Sequence, residues 1–184
     1  MRLLLSGYRS YELSIFNDQD PKIKVIKYSL QQELLQLLSN GLEWVITGGQ
    51  LGVEQWGAQV VLELKKEYPE LKLGLMFPFA DFGENWQENS QEKLFSLKQQ
   101  ADFLGTVSQM PYSNPQQLRN YQDFMLNHTD EALLVYDSQY PGKCEYLYRD
   151  ILKKTDYRLS LIDMDQLQDQ AQVYFESKNS WHFE

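Results

Sequence analysis

The stretch Trp44-Val45-Ile46-Thr47-Gly48-Gly49-Gln50-Leu51-Gly52-Val53-Glu54 says most about how this chain folds. An apolar run ends abruptly in a glycine-rich turn, and an amphipathic segment follows it. This order predicts a buried strand that leads through a tight turn into a helix. Glycine in such a turn lets an anion approach the N–H groups at the helix N-terminus, which carry the positive end of the helix dipole. The stretch favours a nucleotide or another phosphorylated ligand, but it does not name a reaction.

The composition is that of a folded globular protein with an acidic balance of charge. The chain has 184 residues, of which 42% are hydrophobic, so it can bury a sizeable core. We expect a single domain over residues 1–184, with residues 165–184 as a C-terminal extension of it. The formal net charge is −9, and the basic residues are scattered. Because nucleic-acid interfaces need clustered Lys and Arg, nucleic acid is disfavoured as a partner.

The sequence carries no recognisable targeting or membrane signal. The opening Met1-Arg2-Leu3-Leu4-Leu5 reaches Ser6-Gly7 too soon for a secretory leader. No apolar stretch approaches the roughly 20 residues of a membrane span. We therefore expect a cytoplasmic protein without a membrane span. The single cysteine, Cys144, excludes an internal disulfide, and we assign it no role.

Short apolar runs alternate along the chain with longer amphipathic segments. Several of the runs are apolar on both faces, as buried parallel strands are. Strands separated by helices imply right-handed crossovers, so we predict a doubly wound, mainly parallel α/β sheet with helices on both faces. The predicted strands are Leu3–Ser6, Trp44–Thr47, Leu71–Phe79, Phe103–Ser108, Ala132–Asp137 and Tyr157–Met164.

The segments between these runs have the spacing of helices. Apolar residues recur at steps of three or four, which predicts one buried stripe on each helix. Asn40-Gly41 suits the end of the first helix, and Pro115 suits the first turn of a later one. The predicted stripes are Ile23, Ile26, Leu30, Leu34 and Leu37; Val53, Gly57, Val60, Val61 and Leu64; and Leu118, Tyr121, Met125 and, at its end, His128.

The last predicted strand alternates apolar and polar residues, which is typical of an edge strand with one wetter face. After it, from Asp165 onward, we expect a short helix and then an irregular or strand-like end.

Polar and glycine residues follow several strands at their carboxyl ends, where doubly wound sheets bind ligands. Arg9, after the first strand, could hold a phosphate through two hydrogen bonds. The alternatives stay open: Gly48-Gly49 also suits a plain tight turn, and Arg9 also suits a surface loop. The candidate ligand-binding residues are Gly7, Tyr8, Arg9, Thr47, Gly48, Gly49, Gln50, Gly52, Glu54, Phe79, Trp86, Arg119, Asn120 and Asp137.

Some of these candidates carry two interpretations each. Glu54 either complements the helix dipole or serves a ligand, as an acceptor for a ribose hydroxyl or as an acid or base. Arg119 and Asn120 either lie on a solvent-exposed face of their helix or, where that helix directs them toward the strand ends, contact the ligand. Phe79 and Trp86 suit packing better than stacking on a base.

Several familiar kinds of site are disfavoured. His128 and His182 are isolated and lack metal-ligand spacing, so we predict no metal. The chain has no nucleophile elbow, no Walker lysine motif and no complete GxGxxG fingerprint. These absences disfavour a Walker-type nucleotidase and a classical dehydrogenase.

Several stretches are together specific for one family. They are Ser6-Gly7-Tyr8-Arg9, Tyr11-Glu12-Leu13, Ile15-Phe16, Gly41-Leu42-Glu43-Trp44, Gly49-Gln50-Leu51-Gly52-Val53-Glu54, Glu67-Tyr68-Pro69, Leu71-Lys72, Pro78-Phe79, Asn85-Trp86 and Leu133-Leu134-Val135-Tyr136-Asp137. On these stretches, and over nearly its whole length, the chain resembles the YpsA family of bacterial proteins. That family belongs to the SLOG group, named for Smf/DprA and LOG proteins.

The resemblance implies a Rossmann-like fold with a pocket for a nucleotide or a nucleotide-derived ligand. The cofactor stays open among nucleotides, NAD and ADP-ribose-like compounds. The resemblance also implies a link with bacterial cell division or envelope physiology. By position, the pocket would use Gly7, Arg9, Gly48, Gly49, Gly52, Glu54 and Asn120.

Two branches of the SLOG group offer reactions or ligands for comparison. The LOG branch cleaves nucleoside monophosphates to a base and ribose 5-phosphate, with the pattern Gly-Gly-x-Gly-Thr-x-x-Glu. Here Glu54 lies one position earlier than in that pattern, which turns a helical side chain by about 100°, and Val53 also departs from it. The DprA branch binds single-stranded DNA, which the charge of −9 disfavours here.

Two functions stay open, and we favour the first. It is a non-enzymatic sensor that changes a contact with a protein partner when a nucleotide-type ligand binds. The alternative is a nucleotide-processing hydrolase, either a LOG-like phosphoribohydrolase or an N-glycosidase, with Glu54 as its catalytic candidate. Formation of a homo-oligomer is compatible with both.

Overall fold

Six parallel strands form one sheet in the computed structural model, which describes residues 1–180. Residues 181–184, which include His182, lie outside the described residues. The strands are β1 (Arg2–Gly7), β2 (Trp44–Thr47), β3 (Lys72–Phe79), β4 (Phe103–Ser108), β5 (Glu131–Val135) and β6 (Arg158–Ile162). They lie in the order β4-β3-β2-β1-β5-β6, which confirms the predicted doubly wound, Rossmann-like α/β fold.

Six α-helices connect or follow the strands within residues 1–180. They are α1 (Pro21–Ser39), α2 (Val53–Leu64), α3 (Glu88–Gln100), α4 (Gln116–His128), α5 (Glu145–Leu152) and α6 (Met164–Ser180). Helix α2 packs against α1 and α3, and α1 packs against α6, so these four helices form one layer. Right-handed crossovers place α4 and α5 on the opposite face, because the chain reverses its direction across the sheet after β4. None of the helices within residues 1–180 is both long and apolar enough to cross a membrane.

The two edges of the sheet differ in how well the sequence predicts them. Strand β6 lies at one edge, as its alternating pattern predicts. Strand β4 lies at the other, although its apolar start gives no sign of this in the sequence. Phe103 and Leu104 of β4 are both about half exposed.

Two predictions about the helices are wrong. The sequence predicts the C-terminal segment as a short helix, but α6 extends over 17 residues. It is stabilised along α1, where the rings of Tyr28 and Tyr174 lie 5.5 Å apart. On α4, Leu118 and His128 are exposed rather than buried. Leu118 lies on the outer side of α4, and the His128 ring stacks on Phe124 at the end of the helix instead of entering the core.

The centre of the core lies where β1 meets α2. Leu5 of β1 is fully buried, and Gly57 of α2 has no side chain at the point where Leu5 packs. Val45 and Leu73 on the neighbouring strands are also fully buried. This contact brings the start of α2 close to the carboxyl end of β1.

We expect Leu5→Ala to lower the free energy of unfolding by about 2–5 kcal/mol, because it leaves a cavity between β1 and α2. Urea unfolding followed by circular dichroism measures the loss. Leu161→Ala is the matched control. Leu161 is half-buried on the edge strand β6, so its truncation should lower the free energy of unfolding by less. Equal losses in the two variants would contradict this account of the core.

Candidate functional site

The loops that follow β1 and β2 are hydrogen-bonded to each other. The Val53 N–H donates to the Tyr8 carbonyl at 3.1 Å, and the Ser10 N–H donates to the Leu51 carbonyl at 3.2 Å. Gly52 has a φ of +118°, and a Cβ there would lie 2.6 Å from both the Tyr8 oxygen and the Ser10 nitrogen. Only glycine fits this close approach, so Gly52 holds the two loops in one fixed arrangement.

The Glu54 side chain turns back over the glycine turn from the start of α2. Its Oε2 accepts a hydrogen bond from the Gln50 N–H, and its Oε1 accepts one from the Ser6 hydroxyl, both at 2.8 Å. The Leu51 N–H donates to the Gln50 side chain at 3.1 Å. The sequence predicts the N–H groups of this turn as an anion site, but two of them already bind side chains of the same loop.

The Glu54 carboxyl group lies in an environment that disfavours its charge. Part of the residue remains exposed, but the carboxyl group itself is enclosed by Ser6, Gly48 and Gln50. Burial raises the pKa of Glu54. The hydrogen bonds from Gln50 and Ser6 and the positive charge of Arg9 oppose this rise without cancelling it. Glu54 is therefore a carboxyl group suited to holding or exchanging a proton.

Tyr121 of α4 reaches the same point from the opposite face of the sheet. A Cβ on Gly48 would collide with both the Tyr121 hydroxyl and the Oε2 of Glu54, so these two groups converge on Gly48. Burial raises the pKa of Tyr121 well above its ordinary value, and the charge of Glu54 raises it further. The sequence places Tyr121 on a buried stripe but gives no sign of its proximity to Glu54.

Cys144, to which the sequence assigns no role, also lies next to this group. The thiol is buried near Ser6, and burial raises its pKa to about 12. The charge of Glu54 adds to this rise, and the hydrogen bond with Ser6 opposes it. At neutral pH the thiol therefore remains protonated, so it is not poised to act as a nucleophile.

Arg9 supplies positive charge beside the buried carboxyl group. Its backbone N–H donates to Glu12 Oε2 at 2.7 Å, and Glu12 Oε1 accepts from the Lys143 N–H at 2.7 Å. The Arg9 guanidinium makes no hydrogen bond or ion pair with any residue from 1 to 180. Since its charge acts on Glu54, this group has both the position and the free donors to bind an anion there.

Tyr8, Thr47 and Asp137 hold the strand ends together. The Tyr8 hydroxyl lies 2.7 Å from the Tyr140 carbonyl and accepts from the Asp137 N–H at 3.0 Å. Burial raises the pKa of Tyr8 to about 12. The Asp137 carboxylate accepts from the N–H groups of Gln139 and Met164, and the Thr47 hydroxyl donates to the Leu5 carbonyl at 2.8 Å. In this arrangement all three side chains bond to the backbone.

Phe79 and Trp86 belong to an aromatic cluster after β3. Their ring centroids lie 5.9 and 5.1 Å from that of Phe82. A cavity of about 400 Å³ lies beside this cluster, lined by residues that include Phe82, Leu94 and Phe95. Leu94 also packs near Gly49, and neither Arg9 nor Glu54 lines the cavity. The predicted site residues therefore converge at the strand ends rather than in this cavity, whose polar lining is formed by Glu84, Gln91, Glu92 and Lys98.

Arg119 and Asn120 are exposed on α4. The Asn120 side chain accepts from the Gln116 side chain at 2.8 Å, and Tyr121 is the residue that the helix turns toward Glu54. Within residues 1–180, no group of three or more His, Cys, Asp or Glu side chains is placed to hold a metal ion. The predicted residues that the structure brings together at the ends of β1 and β2 are Gly7, Arg9, Gly48, Gly49, Gln50, Gly52 and Glu54.

Comparison with known proteins identifies the family to which this chain belongs. The YpsA family model, described as the YspA SLOG family, matches residues 3–167. This chain belongs to the YpsA family. The match confirms the resemblance seen in the sequence, and membership of the SLOG group suggests a function related to nucleotides.

Bacterial relatives are similar over nearly the whole chain. A UPF0398 protein of Leuconostoc citreum is 58% identical over 180 residues, which cover 96% of this chain and 95% of that protein. A UPF0398 protein of Lactiplantibacillus plantarum is 55% identical over 182 residues, which cover 97% of this chain and 96% of that protein. One of Levilactobacillus brevis is 54% identical with the same coverage.

Replacing the buried carboxyl group should change how stability depends on pH. The folded-state pKa of Glu54 is raised above its unfolded value of about 4.3. Ionised Glu54 therefore destabilises the fold, and this penalty is absent below the unfolded pKa and grows as the pH rises through the folded pKa. Glu54→Gln should gain stability relative to the wild type as the pH rises from about 4 to 8. Urea unfolding at several pH values measures this gain.

Glu88→Gln is the matched control, since Glu88 is an exposed acidic residue in the first turn of α3. We expect no pH-dependent gain from it. A stability difference for Glu54→Gln that stays constant across this pH range would contradict a raised pKa.

Proposed function

We propose that this protein binds a nucleotide or a nucleotide-derived ligand at the joined loops after β1 and β2, and that it acts as a sensor rather than an enzyme. The observation that carries this proposal is the Arg9 guanidinium, which has no protein partner within residues 1–180 and acts on the buried Glu54. An unpaired guanidinium at the carboxyl end of a doubly wound sheet suits a phosphate group.

The hydrogen bonds of Glu54 favour a particular way of binding. Since the Gln50 N–H already donates to Glu54, a phosphate in the glycine turn would have to displace that carboxylate. A phosphate on Arg9 avoids this competition. It also leaves the Glu54 carboxylate in place, and a lone pair not used by Gln50 or Ser6 would accept a hydrogen bond from a neighbouring ribose hydroxyl. Ligands in which a phosphate adjoins a ribose, such as AMP, NAD and ADP-ribose, meet both requirements.

Two features of the site support a sensor role over an enzymatic one. The Cys144 thiol remains protonated, and Glu54 lies one position away from the LOG pattern. Ligand occupancy would instead be passed to a protein partner in the cytoplasm. The link with cell division or envelope physiology, which the family resemblance implies, stays a prediction.

The first test is calorimetric titration of the full chain with AMP, NAD, ADP-ribose and cyclic dinucleotides, with mass spectrometry of the recovered ligand. We expect at least one of these compounds to bind and to be recovered intact. Arg9→Gln should weaken that binding roughly 10- to 100-fold, since it removes charge-assisted hydrogen bonds to the phosphate.

Arg158→Gln is the matched control, because Arg158 is exposed at the amino end of β6 and lies away from the strand ends that form the site. We expect it to bind like the wild type. Failure of every compound to bind, or equal weakening by the two substitutions, would rule out the proposed role of Arg9.

The second candidate function is a nucleotide-processing hydrolase, and the raised pKa of Glu54 favours it specifically. In that case Glu54 would activate water or stabilise the ribosyl cation, while Arg9 holds the phosphate. Release of a free base from AMP by the wild type, and its loss by about 100-fold or more in Glu54→Gln, would establish this function. Turnover that survives Glu54→Gln would assign the chemistry to another residue.

A further inference from the structure

Strand β4 forms an exposed edge of the sheet that carries no charge. Within residues 1–180 it pairs with β3 alone, so its outer row of N–H and C=O groups faces away from the sheet. From Phe103 to Met110 the sequence has no charged residue and no proline. Natural proteins usually protect such edges with lysine, proline or a bulge. Between Asp102 and Pro111, this edge has neither lysine nor proline to protect it.

The unprotected edge is longer than the strand itself. The Asp102 N–H donates to the Leu73 carbonyl at 2.9 Å, and the Ala80 N–H donates to the Met110 carbonyl at 3.0 Å. Residues 102–110 therefore run beside β3 along its whole length. At about 3.3 Å for each residue, this edge is roughly 25 Å long, with β4 at its centre and bends at Asp102, Gln109 and Met110.

Large apolar side chains accompany this edge. Phe103, Leu104, Met110 and Tyr112 are between 46% and 67% exposed. We call these four side chains, together with the outer backbone of residues 102–110, the β4 edge surface. Phe103 and Leu104 are consecutive and project from opposite faces of the sheet, and Met110 and Tyr112 follow the end of β4, so exposed apolar groups flank the unpaired backbone on both faces. Such exposed apolar groups are characteristic of a protein interface.

We propose that the β4 edge surface pairs with the β4 edge of a second copy of this chain, antiparallel and about a two-fold axis, so that one sheet continues across both copies. In a two-fold interface the same surface meets itself, so any charge on it would meet a like charge. The β4 edge escapes this repulsion, although each whole chain carries a charge of −9. The uncharged edge offers no ion pair to a charged partner, whereas it meets its own copy without repulsion at the contact.

The acidic residue next to the strand is also kept away from the interface. The Asp102 carboxylate accepts from the Leu73 N–H at 2.7 Å and pairs with Lys65 at 2.5 Å. Its charge is therefore directed into the protein and is balanced there. The opposite edge differs, because β6 begins with the exposed Arg158, and two copies paired there would bring this charge into the contact.

The area available is sufficient for a specific interface. A large side chain offers roughly 200 Å² when it is fully exposed, so four that are about half exposed give roughly 400 Å² on each copy. The paired backbones add to this, which brings the total for two copies to about 1,000 Å² when all of this exposed area is buried. This is the lower bound expected of a biological interface, and it fits a dimer that dissociates on dilution.

The test is sedimentation velocity of the full chain over micromolar to millimolar concentrations. We expect the wild type to change from monomer to dimer as the concentration rises. Leu104→Lys should raise the dimer dissociation constant at least ~10-fold, since it places a charge in an apolar contact and like charges across the two-fold axis. The far-ultraviolet circular dichroism spectrum and thermal melt confirm that the variant is folded.

Leu152→Lys is the matched control, because Leu152 is an exposed leucine at the end of α5. A dimer that Leu104→Lys weakens and Leu152→Lys leaves intact supports the proposal. A wild type that remains monomeric at every concentration would overturn it. So would a dimer that Leu104→Lys leaves unchanged, or one that both substitutions weaken equally.

Discussion

The hydrogen bonds between the loop after β1 and the loop after β2 are the constraint on which the candidate site depends. They require Gly52 to approach the backbone of Tyr8 and Ser10 closely, which no other residue could do. With the loops held in this way, α2 begins at a defined point. Its first turn then directs Glu54 at Ser6 and at the N–H of Gln50. The position of the buried carboxyl group is thus a consequence of how two loop backbones meet.

Glu54 reduces the capacity of the glycine turn to bind an anion from outside. A glycine turn before a helix ordinarily offers its N–H groups to an anion from outside. Here the protein supplies its own carboxylate to one of those groups, at the cost of burying a charge, and burial raises the pKa of Glu54 as a result. The guanidinium of Arg9 is left without a protein partner in residues 1–180. Positive charge for a ligand therefore comes from a side chain more than from the backbone.

The two edge strands of the sheet differ in charge and in the pattern of polar residues. Strand β6 carries Arg158 and alternates in polarity, as an edge exposed to water should. Strand β4 is uncharged and begins with Phe103 and Leu104, which would suit a buried strand. The ligand site uses the carboxyl ends of β1 and β2, whereas self-association would use the outer side of β4. The two proposals therefore rest on separate parts of the molecule, and each can be tested without the other.

The sequence by itself determined the order of strands and helices, the parallel doubly wound sheet, the family and the glycine turn. These follow from local periodicity and from motifs that need only neighbouring residues. It did not determine that β4 is an edge or that α6 is long, because both depend on which elements pack side by side. Only the tertiary structure places Tyr121 and Cys144 next to Glu54. The hydrogen bond from the Gln50 N–H to Glu54 is likewise visible only there. Contacts between residues far apart in sequence carry no local signal, and the direction of a side chain depends on the space that its neighbours leave.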